Sequence, residues 1–379
     1  MKVNLKIFIV VVWIFNASSA FAQIFKAYND LGLSYFKQNN PKAAIADFNQ
    51  AIDADHTQAE CYLNRALAYV QIGDLPNAVS DTTQAIEINP KYIKAYVSRG
   101  QVFAQQNNIT AAITDYNQAI ALDPKLTIAY NDRGTAFAIE GDITHALADF
   151  NKAIALEPKS ATGYNNRGII YFKQEKIIDA IVEYSKAIEL DPNDVLAYAN
   201  RTSAYLRLNE LADAMKDANK ALAINPKIAD FYRLRGLVYI TQGDKPKALT
   251  DFNKAIELNP KDKIALYVRG TIEYDQQSFQ QAIADFSNVL SIDPQDADAY
   301  MSRGLTFLRQ DFADKAIFDL NKVLALDPNR TRVYFNRAVC YYELKQFDKA
   351  WADVNKAQSL GVTINPKFVT ALKQASGKQ

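Results

Sequence analysis

Arginine and carboxylate side chains recur through this sequence at one fixed offset. The arginines are Arg65, Arg99, Arg133, Arg167, Arg201, Arg235, Arg269, Arg303 and Arg337, each 34 residues after the last. Sixteen residues after each stands an acid: Asp81, Asp115, Asp149, Glu183, Asp217, Asp251, Asp285, Asp319 and Asp353, with Asp47 opening the acidic series. A guanidinium and a carboxylate make short, two-point, charge-assisted hydrogen bonds. The spacing is therefore either a structural ladder of ion pairs or an arginine row that reads acidic ligands. The ladder is the favoured reading, because the acids recur as regularly as the arginines and can satisfy them.

Other reactive groups are sparse. The two histidines, His56 and His145, stand in no metal-ligand spacing, and neither a phosphate-binding loop nor a nucleophile elbow occurs. Two cysteines, Cys61 and Cys340, are too few for a disulfide framework and have no C-x-x-C neighbour. They are expected to pack as small apolar side chains. With no nucleophile–base pair, metal set or cofactor motif, the chain is expected to be no enzyme and to need no cofactor.

The elements that must position the ladder follow from a second period. Pro90, Pro124, Pro158, Pro192, Pro226, Pro260, Pro294 and Pro328 are also spaced by 34 residues, the mark of stacked helical repeats. Thr127 to Ser160 carries one complete unit: two amphipathic helical patterns, broken at Gly141-Asp142 and stopped at Pro158. With the proline as position 32, ten units fit: 25–58, 59–92, 93–126, 127–160, 161–194, 195–228, 229–262, 263–296, 297–330 and 331–364. Position 4 is tyrosine except at Leu266, and position 8 is glycine, alanine or threonine. Position 11 is aromatic except at Glu273, where Tyr274 follows, and position 20 is alanine throughout. Positions 4, 8 and 11 share one helical face, so small residues let helices approach while aromatics fill the space between them. Proline ends each second helix. A hairpin turning near positions 15–16 brings positions 7 and 23 to one height, which is what the ladder requires.

This pattern resembles the tetratricopeptide repeat family, whose signature is matched by Tyr130, Gly134, Phe137, Ala146, Phe150, Ala153 and Pro158. The resemblance covers about residues 25–364. It implies an all-α, right-handed superhelical solenoid of ten helix-turn-helix repeats, with a groove lined by the first helices. It also implies a binding role, since the fold itself carries no chemistry. Departures are local. His56 replaces the proline, Thr202 the glycine, and Thr82, Ala218, Leu320 and Val354 the aromatic that Phe150 represents. Residues 365–379 leave the register at Asn365-Pro366 and then read as a short helix. A cap is expected there, because the last repeat would otherwise expose its stacking face.

In the family, positions 2, 5, 6, 9, 12 and 13 face the groove. Carried over, they place Asn64, Asn131, Asn166, Asn200 and Asn336 on it, with Asn29 and Asn165 beside them. An amide donates and accepts, so it suits a peptide main chain; the alternative is that these asparagines solvate a polar helix face. Toward the C-terminal half the same positions offer Arg233, Tyr267, Tyr274, Met301 and Phe335, with Arg332 and Tyr342. That set reads as an interaction patch, unless several of its members pack between repeats. The family's carboxylate clamp is unsupported, because no unit has lysine at position 5.

The expected partner is thus a protein or an extended peptide held in the groove. A scaffold subunit of a cell-envelope or secretion complex and a lumenal co-chaperone are the alternatives. Lysine plus arginine (43) nearly equals aspartate plus glutamate (42), so no general basic field favours nucleic acid. Met1 to Ala22 carries Lys2 and Lys6, the apolar run Ile7 to Phe15 and a small-residue site at Ala20-Phe21-Ala22. That reads as a secretory signal peptide over 1–22; the run is far short of the roughly 20 residues of a membrane span. The mature chain is expected in a bacterial periplasm or secreted, without stable membrane insertion, or else in a eukaryotic secretory pathway.

Overall fold

The computed structural model describes residues 21–377. The expected signal peptide lies, apart from residues 21 and 22, outside them. The described residues are helical, with no strand among them, and form two compact units divided in sequence between Asp194 and Val195.

Unit one holds α1 (21–37), α2 (Pro41–Ala54), α3 (Ala59–Gln71), α4 (Leu75–Ile88), α5 (Ile93–Gln105), α6 (Ile109–Leu122), α7 (Thr127–Glu140), α8 (Ile143–Leu156), α9 (Ala161–Lys173) and α10 (Ile177–Leu190). Unit two holds α11 (Val195–Arg207), α12 (Leu211–Ile224), α13 (Ala229–Thr241), α14 (Lys245–Leu258), α15 (Lys263–Asp275), α16 (Phe279–Ile292), α17 (Ala297–Arg309), α18 (Ala313–Leu326), α19 (Thr331–Glu343), α20 (Phe347–Ser359) and α21 (Pro366–Ser376). Odd and even helices pair as hairpins from α3–α4 to α19–α20, and each even helix also packs on the next odd one within its unit. Successive odd helices touch as well, as α3 touches α5 and α15 touches α17. The first helices of the repeats therefore form the inner side of each stack.

Local chemistry explains the boundaries. Position 15 has positive φ in every repeat, from Asn39 (59°) through Gly141 (87°) to Lys345 (57°). That single left-handed residue turns the first helix into the second. Position 16 then caps the second helix: the side chains of Asn40, Asp74, Asn108, Asp142 and Asp244 accept from the backbone three residues on. At the far end, the position-31 Asp and Asn side chains take the amide two residues on, as extended Asp123 takes Lys125 at 2.9 Å. His56 does not disturb this. Asp55 accepts from the Thr57 amide (2.9 Å), the Thr57 hydroxyl (2.6 Å) and Gln58 (2.7 Å), so the turn holds without proline. The position-4 tyrosines close the junction from the other side: Tyr96, Tyr130, Tyr164 and Tyr232 donate to the carbonyl of the preceding proline at 3.2–3.3 Å.

The core is a series of matched pairs between positions 8 and 24. A Cβ built on Gly134 would lie 2.7 Å from the Phe150 ring, and on Gly100 or Gly168 2.6 Å from Tyr116 or Tyr184. Those three rings are fully buried, worth about 2–3 kcal/mol each in apolar transfer. Where the ring is absent, position 8 is free to grow. Ala66 stands with Thr82, Thr202 with Ala218 and Ala338 with Val354, all six buried. At Gly304 the opposing residue is Leu320 and a Cβ would meet nothing closer than 3.2 Å. The departures noted in the sequence are thus mostly compensated exchanges across one contact.

Candidate functional site

The arginine ladder is present in full. Within each of nine repeats the position-7 guanidinium binds the position-23 carboxylate at 2.6–2.9 Å, as Arg133 binds Asp149 at 2.8 and 2.7 Å. At Arg133 the pKa rises, with the hydrogen bond to Asp149 as the main cause, opposed by burial. The remaining terminal nitrogen crosses to the preceding repeat: Arg65 to Asn49, Arg99 to Thr83, Arg133 to Asn117, Arg167 to Asn151, Arg235 to Asn219, Arg269 to Asn253, Arg303 to Ser287 and Arg337 to Asn321, at 2.6–3.1 Å. One side chain therefore ties three helices, and the arginines are not a row that reads acidic ligands. Sequence reasoning missed that third anchor. Its signal is visible in retrospect, because position 25 is asparagine, serine or threonine in all ten repeats.

Two rungs are irregular. In the fifth repeat both Glu183 oxygens bond one nitrogen of Arg167 (2.8 and 2.9 Å), because the extra methylene shifts the carboxylate, and the arginine Nε is buried without a partner. In the first repeat Leu31 replaces the arginine, and Asp47 keeps a buried oxygen with no partner.

The thiols are inert. Cys61 and Cys340 are buried and free, donate to the carbonyls of Phe48 (3.7 Å) and Asn336 (3.2 Å), and are pushed by burial to a pKa of about 12.

The groove residues expected from the sequence divide sharply. On unit one, Asn64 is half-buried and donates to Asn29 at 3.2 Å, a contact between neighbouring repeats. Asn131 is only 6% exposed, with its carbonyl oxygen unpartnered, so it packs between first helices and is not on an open face. Asn166 is half-buried. Gln101 donates to Asp132 at 2.8 Å; burial raises the pKa of that carboxyl, and the bond lowers it.

On unit two, Asn200, Asn336 and Met301 are half-buried, Met301 against the cluster around Leu320. Arg233 is held by Asp262 (3.0 Å) and Asp230 (2.8 Å), so it is no free cation. Phe335 does not lie open either. Helix α21 folds over it, with Phe368 edge-on to Phe335 at 5.3 Å and to Tyr342 at 5.5 Å. The C-terminal helix thus takes the aromatic surface that the sequence assigned to a partner.

Tyr267 and Tyr274 remain, and they are walls. Between α15 and α17 a cavity of about 280 Å³ is lined by Tyr267, Thr271, Tyr274, Asp275, Phe286, Ser302 and Leu305. Tyr274 and Asp275 also line a cavity of about 400 Å³ with Gln277, Phe279 and Arg309. On the other side Tyr267 closes a third, of about 170 Å³, with Lys263, Ile264, Val268, Asp296 and Asp298. The Tyr267 hydroxyl shares a hydrogen bond with Ser302 (3.1 Å), and the Tyr274 hydroxyl accepts from Arg309 Nε (3.3 Å). Their rings are set by Phe286 (5.6 Å) and Phe279 (5.8 Å).

The repeat behind these cavities is the one that breaks the pattern at positions 4 and 11. In seven other repeats the ladder arginine lies between two rings, as Arg133 lies 5.6 Å from Tyr130 and 5.8 Å from Phe137, and Arg167 lies 5.6 Å from Tyr164. In this repeat Leu266 and Glu273 stand there. Among the described residues no group of His, Cys, Asp or Glu could hold a metal ion, and no helix is long and apolar enough to cross a membrane.

Comparison with known proteins agrees with this architecture. Models described as tetratricopeptide repeat match residues 25–58, 59–92, 161–194, 183–216 and, in overlapping pairs, 200–361, and a model described as TPR repeat matches 100–138 and 134–175. No curated protein matches the chain. Among solved structures, a tetratricopeptide repeat protein from Parabacteroides merdae aligns with a TM-score of 0.56 at 20% identity, over 66% of this chain and 99% of that one. Pseudomonas aeruginosa pilF aligns at 0.48 with 14% identity, over 56% of this chain and 96% of its own. YrrB, titled a TPR protein with an unusual peptide-binding site, aligns at 0.37 with 24% identity, over 50% and 97%. At 20% identity the likeness to the Parabacteroides merdae protein is one of fold.

Proposed function

Because the chain belongs to the tetratricopeptide repeat family, we propose that it is a non-enzymatic binding protein that takes a peptide segment of another protein on the inner face of unit two. The observation that carries this reading is the run of cavities walled by Tyr267 and Tyr274. Concave sites with aromatic walls and a few placed polar groups are where ligands bury most surface. Three other residues expected on the groove are committed elsewhere: Arg233 to its acids, Phe335 to α21, Asn64 to Asn29. Met1–Ala22 acts as a signal peptide in this reading, so the chain works outside the cytoplasm, and N-terminal sequencing of protein from its host is expected to begin at Gln23.

Selection of displayed peptides on the purified chain tests the binding claim. Peptides recovered on the wild type should lose at least tenfold in affinity to Tyr267→Ala and Tyr274→Ala at unchanged melting temperature. Selected peptides indifferent to both substitutions would refute it.

A further inference from the structure

The three cavities are ordered along α15, and their order has a pitch. The walls, Tyr267 and Tyr274, are seven residues apart on one helix, a rise of about 10.5 Å. A ligand that fills successive cavities must present side chains on one face at close to that interval. A β-strand repeats on one face about every 6.7 Å, which falls between cavities. A polyproline II segment repeats every third residue, about 9.3 Å, which matches to about 1 Å.

A ligand helix also repeats near this pitch, at every seventh residue, but the chemistry of the cavities opposes it. A helix satisfies its own backbone and offers an apolar stripe. Here the central cavity has an apolar base in Phe286 and Leu305, and Ile264 and Val268 line the cavity beside Lys263, Asp296 and Asp298; the cavity at the other end is bordered by Asp275, Gln277 and Arg309, so an apolar stripe stops short of it. Polyproline II has no internal hydrogen bonds, so its carbonyls seek donors. The walls supply them. The Tyr274 hydroxyl accepts from Arg309 and keeps its own proton to donate, and the Tyr267–Ser302 pair uses one hydroxyl proton and leaves the other free.

Charge sets the polarity. Lys263 is met by Asp293 and Asp296, Asp298 by Arg330, and Asp275 by Lys245. Among the described residues no carboxylate pairs with Arg309, whose partner is the Tyr274 hydroxyl. One uncompensated cation therefore borders the cavity of about 400 Å³.

We propose that the inner face of α15 and α17 takes a polyproline II segment, with a proline or other apolar residue in the central cavity and an acidic residue three positions away over Arg309. This rests on the peptide-binding reading above and gives it a ligand class. The segment is pre-ordered before it binds, so less conformational entropy is lost on docking.

Fluorescence anisotropy on the full chain tests it, with a labelled proline nonamer carrying one central glutamate as the probe. An alanine-rich helical peptide and a glycine–serine peptide, each with the same glutamate, are the comparators. The proline probe should bind at least tenfold tighter than either. Leu305→Trp, which fills the central cavity, should cost at least tenfold, and Arg309→Glu at least fivefold, both at unchanged melting temperature. Equal or tighter binding of the helical peptide, or proline-probe binding untouched by Leu305→Trp, overturns the proposal. If display-selected peptides need Tyr267 and Tyr274 while the proline probe fails, the ligand class falls and the peptide-binding reading stands. If nothing needs those tyrosines, both fall.

Discussion

Glu273 Oε1 lies 4.0 Å from Arg269 Nε, at the limit of an ion pair, because Asp285 already holds that guanidinium at 2.7 and 2.6 Å. The other Glu273 oxygen is buried without a partner. Burial first, and then the Asp285 charge, push this carboxyl up to a pKa of about 7, against the pull of Arg269. From the preceding repeat the neutral amide of Asn253 also accepts from Arg269, at 2.6 Å. Protonation of Glu273 leaves one negative charge, not two, beside one arginine.

The sign of the pH dependence follows. An acid whose pKa is higher folded than unfolded binds its proton more tightly in the native state, so its contribution is full below the unfolded value of about 4.3. It is lost as pH rises through about 7. Melting temperature should therefore fall between about pH 4.5 and 7.5 in the wild type, and Glu273→Gln should remove that slope. A slope that survives the substitution would assign it to other groups.

The ladder makes a second prediction. Asp149 is 5% exposed and its main partner is Arg133. Arg133→Met should cost about 3–5 kcal/mol in urea unfolding, because it strands a buried carboxylate. Adding Asp149→Leu should recover much of that loss. A single substitution that costs under about 1 kcal/mol would mean the pair is solvated and dispensable.

The first repeat offers the converse. Leu31 is 43% exposed and occupies the ladder position opposite Asp47, whose buried oxygen has no partner. Leu31→Arg should add the missing rung and stabilise unit one by about 1–2 kcal/mol. No gain in hydrogen-exchange protection of α2 would show that Asp47 is adequately hydrated as it stands.

The matched core contacts predict a graded response to one substitution. Gly134→Ala drives a methyl to 2.7 Å from the Phe150 ring and should cost about 1–3 kcal/mol. Gly304→Ala, whose methyl would lie 3.2 Å from the Asp319 Cβ and 3.6 Å from Leu320, should cost well under that. Thermal unfolding of the two variants side by side reads the difference directly.

Much of this architecture was legible from the residues. The period, the helix pairs and the pairing of positions 7 and 23 followed from spacing, because a repeat shows the same local physics ten times over. The site was less legible, since the family's groove positions do not reveal which side chains the chain consumes itself. Arg233 finds its acids at Asp230, in the same helix, and at Asp262, the last residue of its own repeat. Phe335 is covered by a helix that starts about thirty residues later, at Pro366. Asn131 is buried by its neighbour in the stack. Tyr267 and Tyr274 stay at cavities because the repeat around them lost two aromatic positions, at Leu266 and Glu273.

The central claim is that a partner docks between α15 and α17 on the inner face, and site-specific photo-crosslinking in the native host tests it most directly. A photoreactive residue at Leu305 should trap a partner, and Tyr267→Ala with Tyr274→Ala should abolish the adduct. The same residue at Phe318, 58% exposed on a second helix, should trap none. An adduct from Phe318 alone, or one from Leu305 that survives loss of both tyrosines, would contradict the account.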